Sequence, residues 1–391
     1  MDLRFTEEQE NFRVELRSWL AKNLERSWTE ELRDPRNDAE ALFAIRRRWQ
    51  AKLGRAGYLG LDWPLEWGGQ GLTAVEKAIF AEETVHAPPL AARPGIDFLA
   101  PALIRHGTEE QRRRFLPKML SAEVIWAQGF SEPDAGSDLA ALRTRAEPDG
   151  EDFRLFGQKV WTTFGVKADW IFVLARTDSN DRHGGITLFL LPLRQREIEV
   201  RGIRQITDES EFAEVFFSGA LAKREDMVGK VGEGWSIAMT VLAYERGSMS
   251  LAHPARCEYY LRNLVKALRE SGKMNQTDVR ARIAGLLVDM EVMRANGLRT
   301  LAALSVGRRP GPEASFEKLC WSEYGQRIAD AALELLGLQA HLRIKSPHSR
   351  PEVNWSYEAI RSRAYTIAGG TSEIQRNIIA KRLLKLPSGS D

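Results

Sequence analysis

The 391-residue chain is 43% hydrophobic, 28% charged and 9% aromatic, a globular composition that excludes disordered and fibrous classes. Its length calls for two or three packed subdomains rather than one core. The 56 basic and 54 acidic residues nearly cancel, to +2, so no field that would gather nucleic acid is expected.

From Thr6 to about Leu120, apolar residues such as Phe12, Leu16, Trp19 and Leu20 recur every three to four positions among charged ones, which predicts helices. Thr6 is placed to cap the first. Others are expected near Ala39 to Ala56, Ala74 to His86 and Glu109 to Leu120, the last opened by the capping box Thr108-Glu109-Glu110-Gln111. Trp63-Pro64-Leu65-Glu66-Trp67-Gly68-Gly69-Gln70-Gly71 between them is a turn cluster. The texture changes near Val124. As far as about Val228, short β-prone runs alternate with Gly, Asp and Pro: Phe153 to Phe156, Lys159 to Thr163, Trp170 to Ala175, Ile186 to Leu191, Ile198 to Arg201 and Phe212 to Phe217. After Gly232-Glu233-Gly234 the helical period returns over Trp235 to Ser271, Asp278 to Leu304 and Pro312 to Leu336, with a last helix from Thr371 to Leu384. The expected fold class is α+β, with an N-terminal helical domain over 1–122, a middle antiparallel β-domain over 123–229 and a C-terminal four-helix bundle over 230–391.

Several chemistries lose their weight at this point. Cys257 and Cys320 fit neither a disulfide framework nor a metal-binding spacing, and the six histidines are scattered, so no metal is expected. The charged opening Met1-Asp2-Leu3-Arg4 does not read as a signal peptide and no apolar run reaches bilayer length, so a cytoplasmic protein without a membrane partner is expected. There is no zinc-protease helix motif, nucleophile elbow or phosphate loop, and Gly229 to Gly234 lacks the spacing and strand context of a dinucleotide fingerprint. Any nucleotide cofactor must be held in another way.

Two segments stand out. Gly129-Phe130-Ser131-Glu132-Pro133-Asp134-Ala135-Gly136-Ser137-Asp138-Leu139 is rich in small and hydroxylic residues, so its backbone N–H groups, Ser131 and Ser137 could line a planar ligand; the same chemistry also builds a plain capped turn. In Lys159-Val160-Trp161-Thr162-Thr163, strand alternation would put Trp161 and Thr163 on one face, a ring wall beside a hydroxyl. The alternative is an ordinary core tryptophan in a chain with 11 of them.

Both segments resemble the acyl-CoA dehydrogenase family, and they occur in its order. Leu61 to Leu72, Arg105 to Gln111 and Gly369-Gly370-Thr371-Ser372-Glu373-Ile374-Gln375-Arg376 look similar too, so the resemblance covers nearly the whole chain. It implies FAD as cofactor and α,β-dehydrogenation of an acyl-CoA thioester to the 2-enoyl-CoA, in lipid metabolism. It also implies a flavin-binding set of Gln128, Phe130, Ser131, Gly136, Ser137, Trp161, Thr163, Thr371 and Glu373, with Trp161 packed on the isoalloxazine and Thr163 near flavin N5. Ser137, Tyr244, Arg246 and Gly369 would touch the substrate.

The reaction needs a carboxylate to take the Cα proton while hydride leaves Cβ. Many family members carry that Glu immediately before the Gly-Thr of the last segment, where this chain has Gly369. An isovaleryl-CoA dehydrogenase-like branch carries it on the first long helix of the bundle, in a pattern that Leu242-Ala243-Tyr244-Glu245-Arg246 resembles, which makes Glu245 the expected base. Gly369, having no Cβ, would leave room for its carboxylate. The plain alternative is a solvated Glu245 paired with Arg246 or Arg262. Family relatives that use reduced flavin and oxygen as monooxygenases need no such base, and a retained Glu245 argues against that reading.

Homotetrameric members hold FAD partly through a neighbour's Arg-x-x-Phe and Gln-x-x-Gly-Gly-x-Gly elements. Here the loop Arg269 to Thr277 lacks the first, and Glu334-Leu335-Leu336-Gly337-Leu338-Gln339-Ala340 keeps only the first glycine of the second. Two explanations stay open: other local contacts hold FAD, or a homologous second chain completes the site, in the extreme with this chain as a non-catalytic subunit. The implied partners are acyl-CoA, an electron-transferring flavoprotein and a homo- or hetero-oligomer, dimer or tetramer.

Overall fold

The computed structural model describes residues 5–32, 38–91, 93–305, 311–342 and 353–387, without the side chains of 245–251. Among the described residues α-helices come first: α1 (Glu7–Asn23), α2 (Arg26–Glu31), α3 (Ala39–Arg55), α4 (Ala74–Glu83), α5 (Ala100–His106) and α6 (Glu109–Leu120). Then follow strands β1 (Trp126–Gly129), β2 (Arg145–Asp149), β3 (Asp152–Thr163), β4 (Trp170–Arg176), β5 (Ile186–Pro192), β6 (Ile198–Ile203), β7 (Phe212–Ala222) and β8 (Met227–Val228). The chain closes with α7 (Gly234–Glu270), α8 (Thr277–Ser305), α9 (Glu313–Leu336), α10 (Leu338–His341), α11 (Trp355–Arg361) and α12 (Ser372–Ile378). Helices, sheet and helices thus follow in the expected order. No helix among the described residues is long and apolar enough to cross a membrane.

The helix starts follow their caps. Thr6 and Thr108 each accept the third helical N–H while Gln9 and Gln111 bond back to the cap backbone, so α1 and α6 open where the sequence placed them. α4 stops at Glu83, short of the expected His86: the Thr84 N–H makes its last helical bond, to the Phe80 carbonyl at 3.0 Å, and Pro88-Pro89 follow, which disfavour helix in the residues before them. The last helix is likewise shorter than expected: Thr371 is its cap, and beyond Ile378 it widens into a looser turn.

The chain divides into two compact units, one of Met1–Leu42, Leu72–Pro88 and Arg246–Asp391, the other of Phe43–Gly71 and Pro89–Glu245. In the first unit, α7, α8, α9 and α11 share a core built from Leu261, Leu264 and Leu268, Ile283, Leu286 and Met290, Tyr324 and Ile328, and Trp355. Ala78 and Ile79 of α4 pack on Leu301 of α8, while Arg13 and Arg17 of α1 pair with Glu83 of α4 at 3.1 and 2.7 Å.

The second unit holds the sheet, in strand order β6-β7-β3-β2-β4-β5-β8 with β1 also on β4. It is mixed, not antiparallel as expected: β1 runs parallel to β4 from Trp126↔Trp170 to Gly129↔Val173, and β2 touches β4 in parallel at Arg145↔Arg176. Hairpins enforce antiparallel pairing, but β1 enters from α6 and reaches β4 only after β2 and β3 intervene, which leaves it free to lie parallel. β3 is one strand where two runs were expected. The glycine that broke the pattern, Gly157, sits at φ 143° and a Cβ there would meet the Thr144 hydroxyl at 2.7 Å, so it marks a close approach within the strand.

α3 packs against the end of α6 through Gln50 Nε2, which donates to the Met119 carbonyl at 3.0 Å, and through Gly54, whose Cβ would lie 2.0 Å from the Leu120 carbonyl oxygen. Gly54→Ala is expected to destabilise the chain by about 1–3 kcal/mol in urea unfolding, because the backbones must part. Gly285→Ala on α8, where a Cβ meets open space, is expected to be neutral or to stabilise by up to about 1 kcal/mol, the helix-propensity gain.

Candidate active site

The sequence-predicted ligand loop leaves β1 at Gly129 and closes on itself. The Glu132 and Ala135 backbones exchange two hydrogen bonds of 3.1 Å, leaving Pro133, Asp134, Gly136 and Ser137 exposed. Gln128 is half-buried on β1. The Phe130 ring turns into the core, edge-on to Phe172 at 5.6 Å, so its side chain is not available to a surface ligand. At the far end of the loop Arg176 gathers carbonyls: Nη2 donates to Ala140 at 2.7 Å and Nε to Leu142 at 3.1 Å.

The loop is fixed to β3 by a buried charge pair. Lys159 is fully buried, and its Nζ donates to Glu132 Oε1 at 2.7 Å and to the Phe130 carbonyl at 3.1 Å. The Glu132 carboxylate also accepts the backbone N–H groups of Arg143 at 2.6 Å and Thr144 at 2.9 Å. Burial pulls the Lys159 ammonium down to about 8, with Glu132 opposing. Burial pushes the Glu132 carboxyl up, but the Lys159 charge and the N–H donors together outweigh it and hold the group below the usual carboxylate range. Both residues lie inside the quoted motifs. Alternation gives no cue to them, because Gly157 and Trp161, two residues either side of Lys159, are exposed while Lys159 is buried.

Beyond Lys159 the strand bulges. Lys159 pairs with Val215 and Thr162 with Ala213, so Val160 and Trp161 together face one partner residue. Trp161 takes φ 60° and Phe164 φ 54°, left-handed conformations that cost a bulky residue on the order of 1–3 kcal/mol each and persist only where the surroundings impose them. The Val160 N–H donates to the Ser131 carbonyl at 2.9 Å and the Phe164 N–H to the Glu211 carbonyl at 2.6 Å, pinning both sides. As a result the Trp161 ring stands 58% exposed, edge-on to Phe212 at 6.1 Å. Thr163 is half-buried, and between them Thr162 Oγ1 is buried with no hydrogen-bond partner among the described residues. The bulge, not simple alternation, sets how Trp161 and Thr163 are presented.

In the other unit, Gly369 and Gly370 are consecutive left-handed residues at φ 66° and 90°. Their carbonyls are taken up by Gln375 Nε2 at 2.9 and 3.2 Å and, for Gly370, by Lys318 Nζ at 2.8 Å. Thr371 caps α12 by accepting the Ile374 N–H, and Glu373 is exposed, its carboxyl lowered by its own backbone N–H and then by the Thr371 hydroxyl. Lys318 and Gln375 were not singled out from sequence. Tyr244 is half-buried on α7; Glu245 and Arg246 follow it there, but their side chains lie outside the described residues.

Three family models match in succession: acyl-CoA dehydrogenase N-terminal domain over residues 6–123, middle domain over 127–219 and C-terminal domain over 232–384. The chain is 38% identical to acyl-CoA dehydrogenase IpdE1 of Mycobacterium tuberculosis, covering 97% of this chain and 98% of that one. The chain belongs to the acyl-CoA dehydrogenase family. It is therefore an FAD-dependent oxidoreductase acting on acyl-CoA thioesters. Among solved structures it is similar to the Tcur3481-Tcur3483 steroid ACAD, with TM-score 0.88, 27% identity and 100% of both chains covered. It is also similar to the ChsE4-ChsE5 complex from Mycobacterium tuberculosis, with TM-score 0.87, 29% identity and the same coverage.

Within this acyl-CoA dehydrogenase fold the Glu132–Lys159 pair carries a pH signature. A carboxyl held low in the folded state adds stability that is complete above its ordinary value of about 4.3 and is lost as the pH falls through the depressed value. Glu132→Gln, which leaves Lys159 buried beside a neutral amide, is expected to cost about 3 kcal/mol at pH 7. In urea titrations the gap to wild type should narrow towards pH 3. A gap that stays constant would show that the carboxylate's charge plays no part.

Proposed function

We propose that this chain oxidises a bulky, ring-bearing acyl-CoA thioester, with Glu245 as the base and with Trp161, Thr163 and the Ser131 to Ser137 loop against the flavin. FAD, when bound, supplies the hydride acceptor. The observation that carries the flavin side is Trp161, a large ring kept exposed by a strained bulge and not buried in the core. Other groups of the same motifs fit a planar heteroatom-rich ligand: half-buried Thr163, exposed Ser137, and Gly136, whose Cβ position is open space. In this reading Trp161 excludes water from one face of the reacting centre, Ser137 and Thr163 orient what binds, and Glu245 takes the proton from Cα of the substrate.

The base assignment is supported by substitution at two family positions at once: the segment before Thr371 offers Gly369, with no carboxylate, while Glu245 stands on α7 in the pattern of the branch that places its base there. Glu245→Gln is expected to slow acyl-CoA-driven flavin bleaching, followed anaerobically by stopped flow, by about 10²- to 10⁴-fold with little change in acyl-CoA affinity. Bleaching at the wild-type rate would remove Glu245 from that role.

The substrate class and assembly rest on the neighbours. One similar structure is named a steroid ACAD and another is a two-chain complex. In this chain the family elements that receive a neighbour's FAD are altered, and Lys273 Nζ donates to the Leu335 carbonyl at 2.6 Å, closing the end of α9 from within. We infer a heteromer with a homologous chain, passing electrons to an electron-transferring flavoprotein. The chain purified alone should carry little FAD, and co-purification with the partner should restore it. Full FAD occupancy in a lone homo-oligomer would contradict the heteromer.

A further inference from the structure

We propose that Glu132 and Lys159 are positioning residues for the flavin: a buried ion pair that locks the Ser131 to Ser137 loop and the Trp161 bulge into one rigid surface. The inference rests on the reading that this surface faces FAD. Replacing a buried pair by apolar groups of similar volume often leaves stability unchanged or improved, so bulk alone does not require these charges. What they supply is direction. Lys159 Nζ reaches the Phe130 carbonyl and Glu132, and Glu132 holds the N–H groups of Arg143 and Thr144, so both ends of the segment from Phe130 to Thr144 converge on one ion pair. The next residue, Val160, donates to Ser131 and closes a ring of bonds that runs from loop to strand.

That ring has a consequence for Trp161. With Lys159 and Val160 fixed to the loop and Thr162 in register with Ala213, the residue between them has to absorb the extra length, and it does so at φ 60°. Relaxing Trp161 to an ordinary strand conformation would break either the Val160 bond or the register. The loop and the tryptophan therefore move together or not at all.

The test uses the FAD-loaded assembly co-purified with the partner chain, with Glu132→Gln, Lys159→Met, the double variant and Trp161→Phe. Read out are the FAD dissociation constant, the visible circular dichroism of the bound flavin and urea stability. Each single variant is expected to weaken FAD at least tenfold and to change the flavin dichroism. The double variant, with no lone buried charge, is expected to regain urea stability without regaining either flavin property, and it decides the matter if the singles do not fold. FAD affinity and dichroism that recover together with stability would reduce the pair to a structural role and overturn the proposal. If Trp161→Phe leaves the dichroism and FAD affinity at wild-type values, the flavin-side reading itself fails; if it changes them while the pair variants do not, only the positioning proposal fails.

Discussion

An ammonium group with no access to water must find its partners inside the protein, and in the sheet-bearing unit that requirement organises everything around it. Lys159 is fully enclosed, and the groups that satisfy it come from the turn after β1. Because Glu132 is spent on Lys159 and on two backbone N–H groups, the segment from Phe130 to Thr144 is folded back on the strand while Pro133, Asp134, Gly136 and Ser137 stay exposed. The bulge at Trp161 follows from the same tie. An exposed indole near the end of β3 is otherwise hard to account for in a chain that buries Trp49, Trp126 and Trp63 almost completely.

Most of the fold was legible because its signals are local. Thr6 and Thr108 mark helix starts through reciprocal caps, and α8 and α9 lie within a residue or so of the limits set by their apolar period. What escaped depends on partners distant in sequence. β1 and β2 are short, and β2, with Pro148 and four exposed positions, has no alternation to read. The parallel pairing of β1 with β4 is a property of topology, not of either segment. Gly157 looked like a strand break, and only the approach of Thr144 explains it as part of one strand.

The site divides in the same way. Trp161, Thr163, Ser131 and Ser137 were singled out through a family resemblance, and the family itself is established by matches along the chain. Strand alternation, however, could not foresee the left-handed φ at Trp161. Glu132 and Lys159 were in plain view inside both motifs, yet nothing in their own neighbourhoods says that they meet, since 27 residues separate them. Likewise Lys318, in the second turn of α9, bears no mark of its bond to the Gly370 carbonyl. Gly369 shows the reverse case. Its sequence position alone announces that the base commonly found there is missing, and its left-handed backbone adds a local reason for glycine.

Loop and strand held as one rigid piece should be visible in amide hydrogen exchange of the wild-type chain. The amides of Arg143, Thr144 and Val160 are expected to exchange as slowly as the core amides of β4 and β5, by sub-global opening, while Asp134 and Gly136 at the exposed tip exchange fast. If Arg143, Thr144 and Val160 exchange as fast as the tip, the ion pair does not hold the surface together and the account is wrong.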